Sequence, residues 1–357
     1  MSQLNGSVQK PPENNFKSAL LVLLFLLIAA AGLSYVKWWP YYHKALGAIT
    51  SHTIGSSILT GGGAGMPAPS WSSAWNYAVT YYKAVWKAAV LGILLGSLVQ
   101  VLIPSGWLLR VLGNSSMRNT AIGGLAAVPG MMCSCCAAPL AVGLRKKNVS
   151  ASASLAFWLG NPMINPATLI FMTAVLSWKF TLLRLVFGLI VTFGVSYWAG
   201  RLAKDVEVPQ DDVEKTMPHE HPSAPLWKRW LGSIWTMTLH IVPAYFISVL
   251  ALGAARAWLF PSIGDGSWNT LLVLVVFCIA GALFVIPTAA EIPIVQTFLS
   301  LGFGTGPAAA LLVVLPAVSL PSLLMIRRSF PLRVVGFVFA SVVVLGLLSG
   351  VVGMLLL

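Results

Sequence analysis

The chain has 357 residues, 57% hydrophobic and 9% charged, with a mean hydropathy of +0.84. Soluble domains carry about 25% charged residues, so that class is excluded and the composition is that of an all-α, polytopic membrane protein. The formal charge of +13 comes from basic residues set singly or in short groups at the ends of apolar runs, a topogenic pattern that offers no basic face to nucleic acid.

In chain order, Lys10 and Lys17 precede an apolar run at 18–35, and "KWWP" follows it as an interfacial anchor. Residues 1–38 therefore read as a tail and first transmembrane helix; a cleavable leader ending near "IAAAGLSY" is the alternative. Residues 39–76, with "SSILTGGGAGMPAPSWSS", read as an outer loop. Further runs at 78–103, 149–176, 180–199, 231–255, 308–326 and 334–357 bring the predicted full spans to seven, each near the roughly 20 residues a crossing needs. Two other apolar segments, 120–144 and 271–301, contain Pro129, Pro139, Pro287 and Pro293 and read as helices broken in the middle.

Charge favours treating both broken segments as re-entrant hairpins. With a cytoplasmic N-terminus, 15 of the 22 Lys and Arg then fall inside, among them Arg118 and Arg145–Lys146–Lys147. The other seven, Lys37 and Arg184 included, fall outside or in the outer ends of spans.

The same layout contains a repeat, since an offset of 154 takes Pro139 to Pro293 and Pro162 to Pro316. Each unit, 77–203 and 231–357, is span, hairpin, span, span. Residues 204–230 read as a cytoplasmic linker, in which His219 and His221 are solvated, capture of a metal being the alternative. The two hairpins open on opposite faces, an inverted repeat of the kind that places a transporter's site at the midplane.

Three of the four cysteines, Cys133, Cys135 and Cys136, follow the Pro129-Gly130 break. Clustered thiolates bind soft species such as Cu(I), Zn(II) or trivalent arsenic. Cys133 and Cys136 share a helical face and Cys135 points elsewhere; packing against small residues is the competing role. Glu291 is the only Asp or Glu in an apolar segment of either repeat, which marks a proton path or a ligand contact. Asn161 and Asn165, each before a proline, share a face, and Ser319 stands at the repeat position of Asn165. These three line the site or bond neighbouring helices. His240 reads as a packing residue and Cys278 stands apart from the cluster.

At "CSCCAAPLAVGLRKKNVSASASLAFWLGNPMINP" and "IPTAAEIPIVQTFLSLGFGTGPAAALLVVLPAVSLPSL" the sequence resembles the predicted-permease family that includes the methylarsenite efflux permease ArsP. The cysteine block is the most specific part. The resemblance implies a multi-pass permease of the bacterial inner membrane, with cysteine-dependent export of trivalent organoarsenicals as the known activity of some members.

Residues and resemblance together predict a permease, not an enzyme. Cys133, Cys135 and Cys136 hold a thiophilic metalloid or metal, Glu291 couples protons, and Asn161, Asn165 and Ser319 line the site. It calls for no cofactor; its surroundings are the lipid bilayer and, at most, copies of itself. Rivals are a carrier of zinc, copper or a small thiol, with His240 as the test for zinc, and a thiol oxidoreductase using the C-x-x-C pair Cys133 and Cys136.

Overall fold

The computed structural model describes residues 15–60, 67–203, 225–259 and 270–357. All regular structure among them is helical. Hydrocarbon offers no partner to a backbone amide, so each segment must satisfy its own. Among the described residues six helices are long and apolar enough to cross a membrane, and large apolar side chains such as Leu27, Trp86, Ile190 and Val344 stand on the outer surface, where lipid covers them.

The first helix is longer than predicted. α1 (Asn15–Leu33) passes through a π turn at Ser34–Trp38 into α2 (Trp39–Ser51), so the stretch expected to open an outer loop is helical for thirteen more residues. Pro40 falls in the first turn of α2, and the widened turn before it, closed by Trp39 N–H to Ser34 O, absorbs the missing donor. α3 (Trp71–Leu102) starts at the cap Ser70, whose side chain accepts from Ser73 N–H.

After α4 (Ser105–Leu112), the first broken segment is α5 (Met117–Ala127), a turn at Val128–Gly130, and α6 (Ser134–Lys146). Ser150 N–H donates to Leu112 O at 2.8 Å, joining the residues on either side of the segment. The chain therefore leaves where it entered. α6 lies close against α3 because Gly92 and Gly96 remove the side chains between them; a Cβ on Gly96 would sit 2.9 Å from Pro139 O.

The next predicted span, 149–176, is two helices, α7 (Ala151–Met163) and α8 (Pro166–Val175). Pro166 cannot donate to the ladder and pushes Asn165 to an extended φ/ψ of −68°/114°, so the helix restarts there. Among the described residues six long apolar helices remain where seven spans were predicted, and one of the six, Thr305–Ile326, carries a break of its own. α9 (Trp178–Leu189), a π turn (Ile190–Val195) and α10 (Ser196–Leu202) complete the first half.

The second half repeats the order: α11 (Leu226–Leu259), α12 (Thr270–Leu283), α13 (Glu291–Ser300), α14 (Thr305–Ala317), α15 (Leu320–Ile326) and α16 (Leu332–Leu356). The break between α14 and α15 falls at Val318 and Ser319, both extended, at the repeat position of the Asn165 break. The second hairpin also closes on itself. Phe277 of α12 and Phe303 beyond α13 stack at 5.5 Å, and Leu274 and Gly306 both meet Gly350 near the end of α16.

The hairpins open on opposite faces. The exit of the first, at Arg145, lies 5.8 Å from the ring of Phe330, just before α16 begins. The 25 residues of α16 rise about 37 Å at ~1.5 Å each, and the second hairpin opens at its far end. The fold is thus an inverted repeat with two re-entrant hairpins and an extra N-terminal helix. α7 and α14, nearly all buried, form its centre. His219 and His221 lie outside the described residues, as does the side chain of His240 in α11.

Candidate functional site

The two hairpin tips meet at a small pocket lined by Cys133, Ser134, Pro162, Thr168, Thr288, Glu291 and Pro316, among others. Each tip turns through a left-handed residue that is not glycine, Met131 (φ 48°) in the first and Ala289 (φ 69°) in the second. Such conformations cost roughly 1–2 kcal/mol for L-residues and persist only where the surroundings fix them.

The surroundings are specific. Met132 N–H donates to Asn161 Oδ1 at 3.4 Å while Asn161 Nδ2 donates to Phe157 O at 2.9 Å. Trp158 Nε1 holds Ser134 O at 2.9 Å, and Trp38 Nε1 reaches Pro129 O at 2.8 Å from the N-terminal helix. At the second tip Tyr77 donates its hydroxyl proton to Val285 O, and Lys37 Nζ donates to Thr288 Oγ1 at 3.1 Å.

The cysteines divide into two environments. Cys133 Sγ and Cys136 Sγ are 3.0 Å apart, one turn of α6 bringing them to one face. Cys135 Sγ instead lies 3.0 Å from Ser319 Oγ, which also meets Ser134 Oγ at 3.3 Å. All three thiols are buried and free of disulfides. Among the described residues no group of three His, Cys, Asp or Glu side chains is placed to hold a metal ion, so the three cysteines do not converge as the common metal site that the sequence suggested. Cys278, in α12, packs near Gly346.

The predicted polar residues take the roles their backbone positions dictate. Asn165 caps α8, accepting from Ala167 and Thr168 N–H at 3.1 and 3.3 Å, and its Nδ2 has no partner. Ser319 caps α15 in a capping box with Ser322. Asn161 braces the first tip. None of the three is among the residues that line the pocket.

Sequence reasoning placed Arg184 at the outer end of a span. It is fully buried, and its guanidinium reaches Glu291 Oε1 at 3.4 Å. The same group collects three backbone carbonyls: Met163 O at 3.1 Å, Pro162 O at 2.7 Å, and Leu312 O. These acceptors are there because prolines made them available. Pro166 and Pro316 sit four residues after Pro162 and Leu312 and cannot bond them, while Ala167 N–H, the usual partner of Met163 O, goes to Asn165. Lys37 was likewise assigned to an interface and is instead 5% exposed beside the second tip. The available signal for Arg184 was a lone arginine in an apolar run together with two prolines releasing carbonyls at membrane depth. Glu291 Oε2 has no partner, so a buried carboxylate oxygen faces the pocket ready for a proton or a ligand.

Relatives agree on the class of protein. The chain is 49% identical over 327 residues to the UPF0718 protein YraQ of Escherichia coli (strain K12), covering 92% of this chain and 93% of that protein. It is 24% identical over 300 residues to the UPF0718 protein MJ0584 of Methanocaldococcus jannaschii, covering 64% of this chain and 81% of that one. No solved structure matches it. The model of the family described as "Predicted permease" (ArsP_1) matches residues 71–355, and the chain belongs to that family of multi-pass membrane permeases.

Proposed function

We propose that this permease exports a thiophilic solute, with trivalent methylated arsenic first among the cargoes to test, across a bacterial inner membrane. The observation that carries this is the 3.0 Å separation of Cys133 and Cys136 at the junction of the two hairpin tips, where Cys133 lines one pocket with Glu291. A trivalent arsenical bearing two hydroxyls exchanges both for these two sulfurs; each thiol proton leaves with a hydroxyl as water. Cys135, bonded to Ser319, tunes the site from behind and is not one of the two ligands. Asn161, Asn165 and Ser319 support the site by holding the helix breaks.

Glu291 carries the coupling proton. Protonation removes its charge from the pair with Arg184 and so changes what holds the second tip to the first half. The N-terminus and residues 204–230 are cytoplasmic in this scheme, 77–203 and 231–357 are the two moving units, and the stretch after α2 faces outward.

The test is accumulation of methylarsenite, inorganic arsenite, zinc and copper in everted vesicles. The wild type is compared with the Cys133→Ser, Cys135→Ser, Cys136→Ser triple variant. Cysteine-dependent accumulation of one species establishes the function and its cargo; equal accumulation by both proteins overturns it. The short sulfur-to-sulfur distance also suits a thiol oxidoreductase, for which the same pair would cycle to a disulfide during turnover and a carrier's would not.

A further inference from the structure

The N-terminal helix stands outside the inverted repeat, yet it touches both hairpin tips. Trp38 Nε1 donates to Pro129 O of the first tip at 2.8 Å, and the neighbouring Lys37 Nζ donates to Thr288 Oγ1 of the second at 3.1 Å. The same ammonium faces the sulfurs of Cys133 and Cys136, so it lies between the thiols of one tip and the hydroxyl of the other. Thr288 in turn lines the pocket with Cys133 and Glu291. Two consecutive residues thus hold two segments from opposite halves of the chain.

The local backbone explains how neighbours can do this. Successive residues of an α-helix diverge by roughly 100°, which spreads them over different faces. Lys37 and Trp38 close the π turn Ser34–Trp38, whose wider i→i+5 winding sets neighbours closer around the axis. Tyr35 and Trp39 are left exposed on the lipid side, while Lys37 is buried. The turn also divides an anchored helix from a free one. α2 is fixed to the first half, where the Tyr41 ring meets Phe171 of α8 edge-on at 5.8 Å and His52 Nδ1 lies 2.9 Å from Ala174 O. α1 instead leaves Leu20, Leu23, Leu24 and Leu27 exposed, and an element with few buried contacts has low local stability.

We propose that Lys37 and Trp38 are positioning residues that form a clasp between the two tips, and that the tips part only when the π turn releases one of them. The clasp acts on the pocket through the tips, by setting how far the Cys133 side stands from the Glu291 side. It rests on the alternating-access reading above for its purpose, and on no particular cargo. Lys37 with Thr288 and Arg184 with Glu291 hold the second tip at two points, so protonation of Glu291 alone leaves that tip attached. Release of the turn is the second event that opening requires.

The native thiols report the parting of the tips. The full chain in detergent is treated with a charged methanethiosulfonate reagent, and labelling of Cys133 and Cys136 is followed by mass spectrometry; amide exchange at residues 286–290 follows the second tip. Trp38→Phe keeps a ring and loses the N–H, Thr288→Val keeps the shape and loses the hydroxyl, and both leave the Lys37 charge in place. A hydrogen bond of about 1 kcal/mol corresponds to roughly fivefold. Trp38→Phe should raise exchange at 286–290 about fivefold, although the indole bonds the first tip, and Thr288→Val should raise labelling of Cys133 and Cys136 to a similar extent. Cys278, buried in α12, should label no faster in either variant. Trp38→Phe with unchanged exchange at 286–290 reduces the two contacts to separate braces and overturns the clasp, as does a matching rise at Cys278, which would mean general loosening. Neither arm uses a cargo, so the clasp can fail while cysteine-dependent transport stands, and the reverse.

Discussion

The two hairpins share a scaffold and differ in chemistry. Both break at a proline-containing tip, turn through a left-handed residue at Met131 or Ala289, and send a half-helix back to the face of entry. The first places thiols at its tip and is braced by neutral groups, Asn161, Trp158 and Trp38. The second places a carboxylate there and is braced by two cations, Arg184 and Lys37. The scaffold needs only small residues and prolines, so the tips are free to diverge: one toward thiols, the other toward charge.

That contrast can be broken most directly at the ion pair. Arg184→Gln leaves Glu291 and three carbonyls without their partner, and should cost about 3–5 kcal/mol of stability, read as a fall in thermal unfolding temperature in detergent. Adding Glu291→Gln should recover part of that loss; no recovery would mean that Arg184 serves the carbonyls and not the carboxylate. The next effect is on transport. Cys133→Ser and Cys136→Ser should each lower cargo affinity by at least about tenfold, whereas Cys135→Ser should stay within roughly threefold of wild type, each measured by uptake into everted vesicles. Equal losses at all three positions would merge the two thiol environments into one.

Glu291→Gln sharpens the second half of the comparison. It should leave cargo binding measurable but flatten the pH dependence of transport, since the variant cannot gain or lose a proton; a pH profile unchanged from wild type would end the coupling role. The smallest effect belongs to the caps. Asn165→Ala and Ser319→Ala should each cost about 1 kcal/mol, with Ser319→Ala alone also perturbing Cys135. Topology offers a yes-or-no check beside these magnitudes. Asn119→Cys and Lys147→Cys should label from one membrane face and Gly302→Cys from the other.

Much of the fold was legible in the sequence because hydropathy and proline are local signals. The hairpins followed from Pro129, Pro139, Pro287 and Pro293, and their inversion from Arg118 and Arg145–Lys147 falling on one side. Helix α2 was hidden because Pro40 ordinarily ends a helix, and the π turn that accommodates it has no clear sequence mark. The breaks at Asn165 and Ser319 were partly visible, since both positions were singled out, but as residues lining the site or bonding neighbouring helices and not as caps. An Asn before proline has the same composition in either role, and only the backbone on both sides distinguishes them.

Arg184 and Lys37 were misplaced for a different reason. Counting charges by distance along the chain assigns a cation near the end of an apolar run to the interface. The acceptors of Arg184 come from residues 162, 163, 291 and 312, so its depth depends on two halves of the chain meeting. That Cys133 and Cys136 lie together and Cys135 apart follows directly from 3.6 residues per turn.

The way Arg184 is held has a mechanical consequence. Its planar fork binds carbonyls of α7 in one half and of α14 in the other, at the two helices most deeply enclosed. If the halves rock against each other as alternating access requires, the axis runs where such contacts survive, which makes this guanidinium the pivot. Spin labels near residues 163 and 312 should then keep their separation in every transport state. Pairs joining the far ends of α3 and α16 should sweep through the widest arc.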